Sequence, residues 1–147
     1  MIEDDKMKIL IPVDGAESAN RAVEYVITSQ RWLKETPQVL LLNVQWKIAS
    51  GNVKLFINQQ SIDDQYREQG MEALAKAREK LDAAGMAYSY HISIGAPAEG
   101  IVQYAEEQGV DQIVLGAGEQ RTLSTLLLGS VVNRVLHLSR LPVLLIK

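Results

Sequence analysis

Two stretches of this chain are apolar at nearly every position instead of every second one. They are Ile9-Leu10-Ile11, running on into Pro12-Val13, and Val39-Leu40-Leu41-Leu42, running on past Asn43 to Val44. A strand with one wet face alternates, whereas a strand covered on both faces does not. Lys8 precedes the first run and Asp14-Gly15 follow it; Thr36-Pro37 stand before the second. Between the two runs, Ala19, Ala22, Val23, Val26 and Ile27 fall on one face at helical period, from a start around Glu17-Ser18. Two doubly covered strands joined by a helix make a βαβ unit, and so a parallel sheet with helices on both sides.

The rest of the chain repeats the scheme. Gln45 to Ser61 shows no periodicity and reads as a long excursion, with an apolar triplet, Leu55-Phe56-Ile57, inside it. The longest helix is predicted over Ile62 to Ala84, with Met71, Leu74, Ala77, Leu81 and Ala84 as its inner stripe and Gly85 as its stop. Tyr88 to Ile94 is a third strand with looser alternation. A helix opens at Pro97, buries Ala98, Ile101, Val102 and Ala105, and stops at Gly109. Ile113 to Leu115 is the fourth strand, Ser130 to Ser139 the last helix and Pro142 to Ile146 the fifth strand. The expected fold class is α/β: an open, doubly wound, mostly parallel five-stranded sheet with helices on both faces, formed by residues 1–147 as one domain.

Composition removes several functions. The chain has no cysteine, which excludes disulfides, a thiolate nucleophile and Cys-ligated metal. A net charge of −3 argues against nucleic-acid or membrane binding driven by bulk charge. The charged start, MIEDDKMK, lacks a signal-peptide core, and the apolar runs are too short to span a bilayer, so a cytoplasmic location is expected.

In a doubly wound sheet, ligands sit outside the carboxyl ends of the strands where the strand order reverses. Strands one and four are the natural neighbours there. The loop after strand one carries Asp14-Gly15. The fourth strand opens the stretch IVLGAGEQRTLSTLLLGSV, Ile113 to Val131, which ends on a Gly129-Ser130 step at a helix start. Such a step aims backbone N–H groups and a hydroxyl at one point, as phosphate sites do. Its glycines alone favour an ordinary βα connection, because Gly-rich loops are common. The phosphate reading draws its weight from the Asp14 loop converging on the same crevice.

Four segments, ILIPVDGAESANRAVEYV, LLLLNV, GAPAEGIVQYAEEQGVDQIVLG and LLLGSVVNRVLHLSRLPVLLIK, together resemble the universal stress protein family, in order and over essentially the whole chain. The resemblance implies an adenine nucleotide alpha-hydrolase-like fold. The nucleotide-binding branch of that family carries Gly-x-x-Gly, nine residues, then Gly-Ser/Thr. Gly116 matches the first glycine, Gly129 the third and Ser130 the hydroxyl, while Glu119 stands where the second glycine belongs. Asp14 matches the acid that contacts the nucleoside, Pro12 and Val44 match the adenine pocket, and Val131 matches the residue whose amide follows the serine. Val13, Leu115 and Gly118 complete the candidate cofactor-binding set. The implied ligand is ATP or AMP, with Mg accompanying ATP. The implied assembly is a homodimer joined through the C-terminal strand, whose apolar residues Val143 to Ile146 form a sheet edge.

Glu119 is the one departure from the motif. A carboxylate about 5 Å from one phosphate charge, at an effective dielectric of ~20, is repelled by roughly 3 kcal/mol, on the order of a hundredfold in affinity. Gly118, one residue earlier, offers a hinge, and Arg121 offers a counter-charge. AMP is less exposed to this repulsion than ATP. The alternatives are a nucleotide-free dimeric stress-response scaffold acting by protein contact, and a slow ATPase in which Asp14 is the only carboxylate placed near the site.

No catalytic or metal constellation is read. His91 and His137 lack carboxylate spacing for a metal site and are expected at the surface or partly packed. Ser124, Thr122 and Thr125 are read as solvated loop hydroxyls, and Asp63-Asp64 and Glu106-Glu107 as solvated charges. Trp32 and Trp46 are expected to pack against the domain, not to stack on a base.

Overall fold

The computed structural model describes residues 6–47, 58–117 and 128–147. Five strands alternate with four helices: β1 (Lys8–Pro12), α1 (Glu17–Ser29), β2 (Gln38–Gln45), α2 (Gln59–Ala83), β3 (Tyr88–Ile94), α3 (Pro97–Glu107), β4 (Gln112–Gly116), α4 (Ser130–Leu138) and β5 (Val143–Ile146). The strands form one sheet in the order β3-β2-β1-β4-β5, and every neighbouring pair is parallel. The chain builds outward from β1 to β3, then crosses back so that β4 pairs with the other side of β1. The order therefore reverses between β1 and β4, as the sequence predicted.

Strand alternation feeds two cores. Ile9, Ile11, Val39 and Leu41 pack against α1 and α2 through Ala22, Val23, Val26, Leu74, Ala77 and Leu81. Leu10, Leu40, Leu42, Ile113 and Leu115 pack against α3 and α4 through Ala98, Ile101, Ala105, Val132 and Val135. Both faces of β1, β2 and β4 are thus dry, which is why their sequences show no alternation. β3 lies at an edge and is largely exposed, which explains its looser pattern. Gly85 and Gly109, expected as helix stops, take φ of 68° and 66°, the left-handed conformation of a helix C′ position. Among the described residues no helix is long and apolar enough to cross a membrane.

α2 departs from the sequence reading at both ends. It begins at Gln59, not Ile62, because the Asn58 side chain accepts the Ser61 N–H at 2.8 Å and caps the first turn. Its buried stripe is Tyr66, Gly70, Leu74, Ala77 and Leu81; Met71 is half-buried and Ala84 is exposed as the C-cap. Gly70 belongs to the stripe because α2 crosses β3 there. A Cβ on it would lie 2.6 to 2.8 Å from three atoms of the Ile92 side chain, whose β-branched stem has little freedom to turn away. Gly70→Ala is expected to lower stability by about 1–2 kcal/mol, the overpacking cost exceeding the gain in helix propensity. A thermal melt unchanged or raised by this substitution would refute the close approach.

Candidate functional site

A cavity of about 570 Å³ opens at the carboxyl ends of β1, β2 and β4, within the size range of small-molecule sites. Its floor is where the strand order reverses. Pro12, Val13 and Asp14 enter from β1 and the turn after it, Leu42 and Val44 from β2, and Leu115 and Gly116 from β4. Ser18 and Ala19 at the start of α1, Pro97 at the start of α3, and Gly129, Ser130, Val131 and Val132 at the start of α4 close the other side. Three helix N-termini therefore border one space, a placement that favours negative charge in it.

The β1 end is held by a chain of hydrogen bonds. The Val13 N–H donates to the Leu42 carbonyl at 2.8 Å. The buried Asn43 side chain donates its amide to the Val13 carbonyl at 2.9 Å. The Gln45 amide nitrogen donates to the Asn43 side-chain oxygen at 2.9 Å and to the Tyr66 carbonyl at 2.8 Å. This run ties the residue before Asp14 to β2 and α2. Asp14 itself is exposed; its Oδ1 accepts the Ala16 N–H at 2.9 Å, a turn that launches α1.

On the α4 side, Gly129 is the N-cap residue with extended ψ of 163° and no side-chain cap. The N–H groups of the first helical turn have no acceptor within the helix, and Ser130 stands exposed at its first position. Gly116 has a different role. A Cβ there would come within 1.9 Å of the Ser18 carbonyl oxygen, so the missing side chain lets the end of β4 abut the first turn of α1. α3 and α4 are tied to each other by Arg134 Nε donating to Glu99 Oε1 at 2.7 Å. The Arg134 guanidinium holds the Glu99 carboxyl below the usual range.

Of the eleven candidate residues, nine line this cavity: Pro12, Val13, Asp14, Val44, Leu115, Gly116, Gly129, Ser130 and Val131. Gly118 and Glu119 lie outside the described residues, as do the Leu55-Phe56-Ile57 triplet and the loop hydroxyls Thr122, Ser124 and Thr125. Sequence reasoning did not find Ser18, Gln45, Trp46 or Gln69, which also line the cavity. Gln69 had no local signal, because only the crossing of α2 brings it near. Trp46 corrects an expectation: it does not pack on the domain but stands 69% exposed at the cavity, and Trp32 is 61% exposed with its ring edge-on to Tyr25. His91 is exposed on β3 and stacks on Tyr104 at 5.1 Å between ring centroids.

The fold and the crevice define a doubly wound α/β protein with a cavity at the β1/β4 switch, the place where such sheets take up ligands. Residues 7–147 match the family model described as the universal stress protein family. Universal stress protein MJ0531 of Methanocaldococcus jannaschii is 31% identical over 144 residues, covering 95% of this chain and 81% of the relative. The structure of hypothetical protein MJ0577 superposes with a TM-score of 0.76 at 30% identity, covering 96% of this chain and 95% of the other. A universal stress protein family protein from Arabidopsis thaliana, solved with AMP bound, shares the fold with a TM-score of 0.67 at 22% identity, covering 96% of this chain and 91% of that one. The chain belongs to the universal stress protein family.

Proposed function

We propose that this chain is a regulatory module of the stress response that binds an adenine nucleotide, AMP or ATP, in the crevice between the β1 and β4 loops. The observation that carries the reading is the convergence of nine candidate positions, from four separate parts of the sequence, on one cavity. Its parts fit the ligand in order. Pro12, Leu42 and Val44 offer an apolar wall for a base, Asp14 a carboxylate for ribose hydroxyls, and the α4 start N–H groups and a hydroxyl for phosphate. The Arabidopsis protein of the same family was solved with AMP bound, which supports an adenine nucleotide as the ligand class. Asp14 is the one carboxylate among the described lining residues, so Mg is proposed only as a companion of ATP, held mainly by the phosphates. A cytoplasmic location suits such a ligand.

Calorimetric titration with AMP and with ATP tests the reading, and the absence of heat and of thermal stabilisation with both would remove it. Glu119→Gly is expected to tighten ATP more than AMP, up to about a hundredfold for ATP, because ATP carries the additional phosphate charge that a carboxylate at this motif position repels. Equal changes for the two ligands would refute the electrostatic account of that position.

The second reading, a dimeric scaffold acting by protein contact, is favoured by β5. This strand sits at the sheet edge with Val143, Leu144, Leu145 and Ile146 only half-buried. An unpaired apolar edge recruits another strand, and we propose a homodimer joined there. Sedimentation at micromolar concentration is expected to give a dimer, and Leu145→Lys a monomer; a monomeric parent chain would overturn this assembly.

A further inference from the structure

We propose that Trp46 is the residue that clamps the nucleotide's base, its indole stacking on the purine face at the mouth of the cavity. This rests on the adenine-nucleotide reading and adds to it the side chain that holds the base. The argument begins in β2. Leu40, Leu42 and Val44 lie on one face of the strand, toward α3 and α4. Leu40 and Leu42 are buried, and Val44 lies against α3 at Gly100, where a Cβ would meet its Cγ1 at 3.0 Å. Gln45, one residue on, points the other way and donates to the Tyr66 carbonyl of α2. Its own carbonyl still accepts the Gly95 N–H of the β3 end at 2.7 Å, so the sheet register holds to that point.

Trp46 follows directly on the last residue of β2 and lines the same cavity as Leu42 and Val44 of the Leu40-Leu42-Val44 row. Among the described residues the row is packed under α3 and α4 as far as Val44, and the cavity opens beside it. There the large apolar side chain of Trp46 is left 69% exposed. A tryptophan so placed leaves a flat π-face open to solvent beside an apolar wall. A planar heteroaromatic base is the ligand class that such a face takes up, since it offers a π-face of its own and carries no charge to desolvate.

The chain has two tryptophans, so Trp32→Phe leaves Trp46 as the sole indole reporter. AMP is titrated into this variant by fluorescence and calorimetry in parallel. The expected result is quenching of Trp46 emission with a midpoint equal to the calorimetric Kd. In the parent chain, Trp46→Ala is expected to weaken AMP about tenfold. Trp46→Phe should stay within about threefold, and neither should move the melting temperature of the ligand-free protein. Calorimetric binding with Trp46 emission unmoved, or with Trp46→Ala as tight as the parent, overturns the clamp and leaves the nucleotide reading standing. No binding of AMP or ATP to the parent chain overturns both.

Discussion

Gly116→Ala is expected to lower stability by about 3 kcal/mol or more, roughly 10 °C in Tm for a chain of this length. The methyl group would sit 1.9 Å from the Ser18 carbonyl oxygen, 2.3 Å from its carbon and 3.0 Å from the Ala19 nitrogen. All three are backbone atoms of the first turn of α1, so no rotamer change relieves the overlap; the helix or the end of β4 has to move. Gly129→Ala is the matched control. A Cβ there meets nothing, and its φ of −64° suits any residue. Its expected cost is that of a weaker N-cap, below about 1 kcal/mol. Thermal denaturation of the pair separates the two motif glycines: one serves packing, the other leaves room in the cavity. A Gly116→Ala melt within about 2 °C of the parent, against the expectation from overpacking, would show that β4 and α1 are not in contact as described.

Asn43→Ala is expected to cost about 2–3 kcal/mol, because it strips a donor from the buried Val13 carbonyl and an acceptor from Gln45. It is also expected to weaken nucleotide binding, since Val13 holds the backbone from which Asp14 projects. Asn43→Asp tests the sense of the hydrogen bond with almost no change in shape. An ionised carboxylate has no proton to give the Val13 carbonyl, so burial against that oxygen raises its folded-state pKa. The penalty is therefore full at neutral pH and shrinks as pH falls toward the ordinary aspartate value of about 3.9. Melts across that range check the sign, and a pH-independent deficit relative to the parent would refute the donor role of Asn43.

The strands were legible because β1, β2 and β4 are dry on both faces, and a run such as Val39-Leu40-Leu41-Leu42 has no other use in a chain of this size. The start of α2 was misplaced although its cap was in plain view. Asn58 was read with Gln59 and Gln60 as loop, and only the Ser61 N–H shows it closing a helix. The lining of the cavity was legible where backbone chemistry defines it, at Asp14, Gly116, Gly129 and Ser130, because turn and helix-start residues carry local signatures. It was illegible where tertiary approach defines it. Gly116 reads as the first glycine of the motif in sequence and is a steric necessity in space. Asn43 was hidden inside an apolar run, yet a polar residue in a doubly covered strand always has a partner to find. Trp46 was assigned to packing because its type is usually packed; only the end of cover beyond Val44 shows otherwise.

The cavity draws its walls from Pro12 through to Val132, and β1 pairs Leu10 with Ile113, 103 positions later. On the ribosome, then, the pocket does not exist until nearly the whole polypeptide has emerged. A ligand gives no help to the nascent chain and no reward to a truncated one. It acts only on finished molecules, where a concentration a hundredfold above Kd adds about 2.7 kcal/mol to the folded state. On the proposed nucleotide reading, depletion of the bound nucleotide would remove that increment from every copy at once, so the abundance of the protein would itself follow the concentration of that nucleotide.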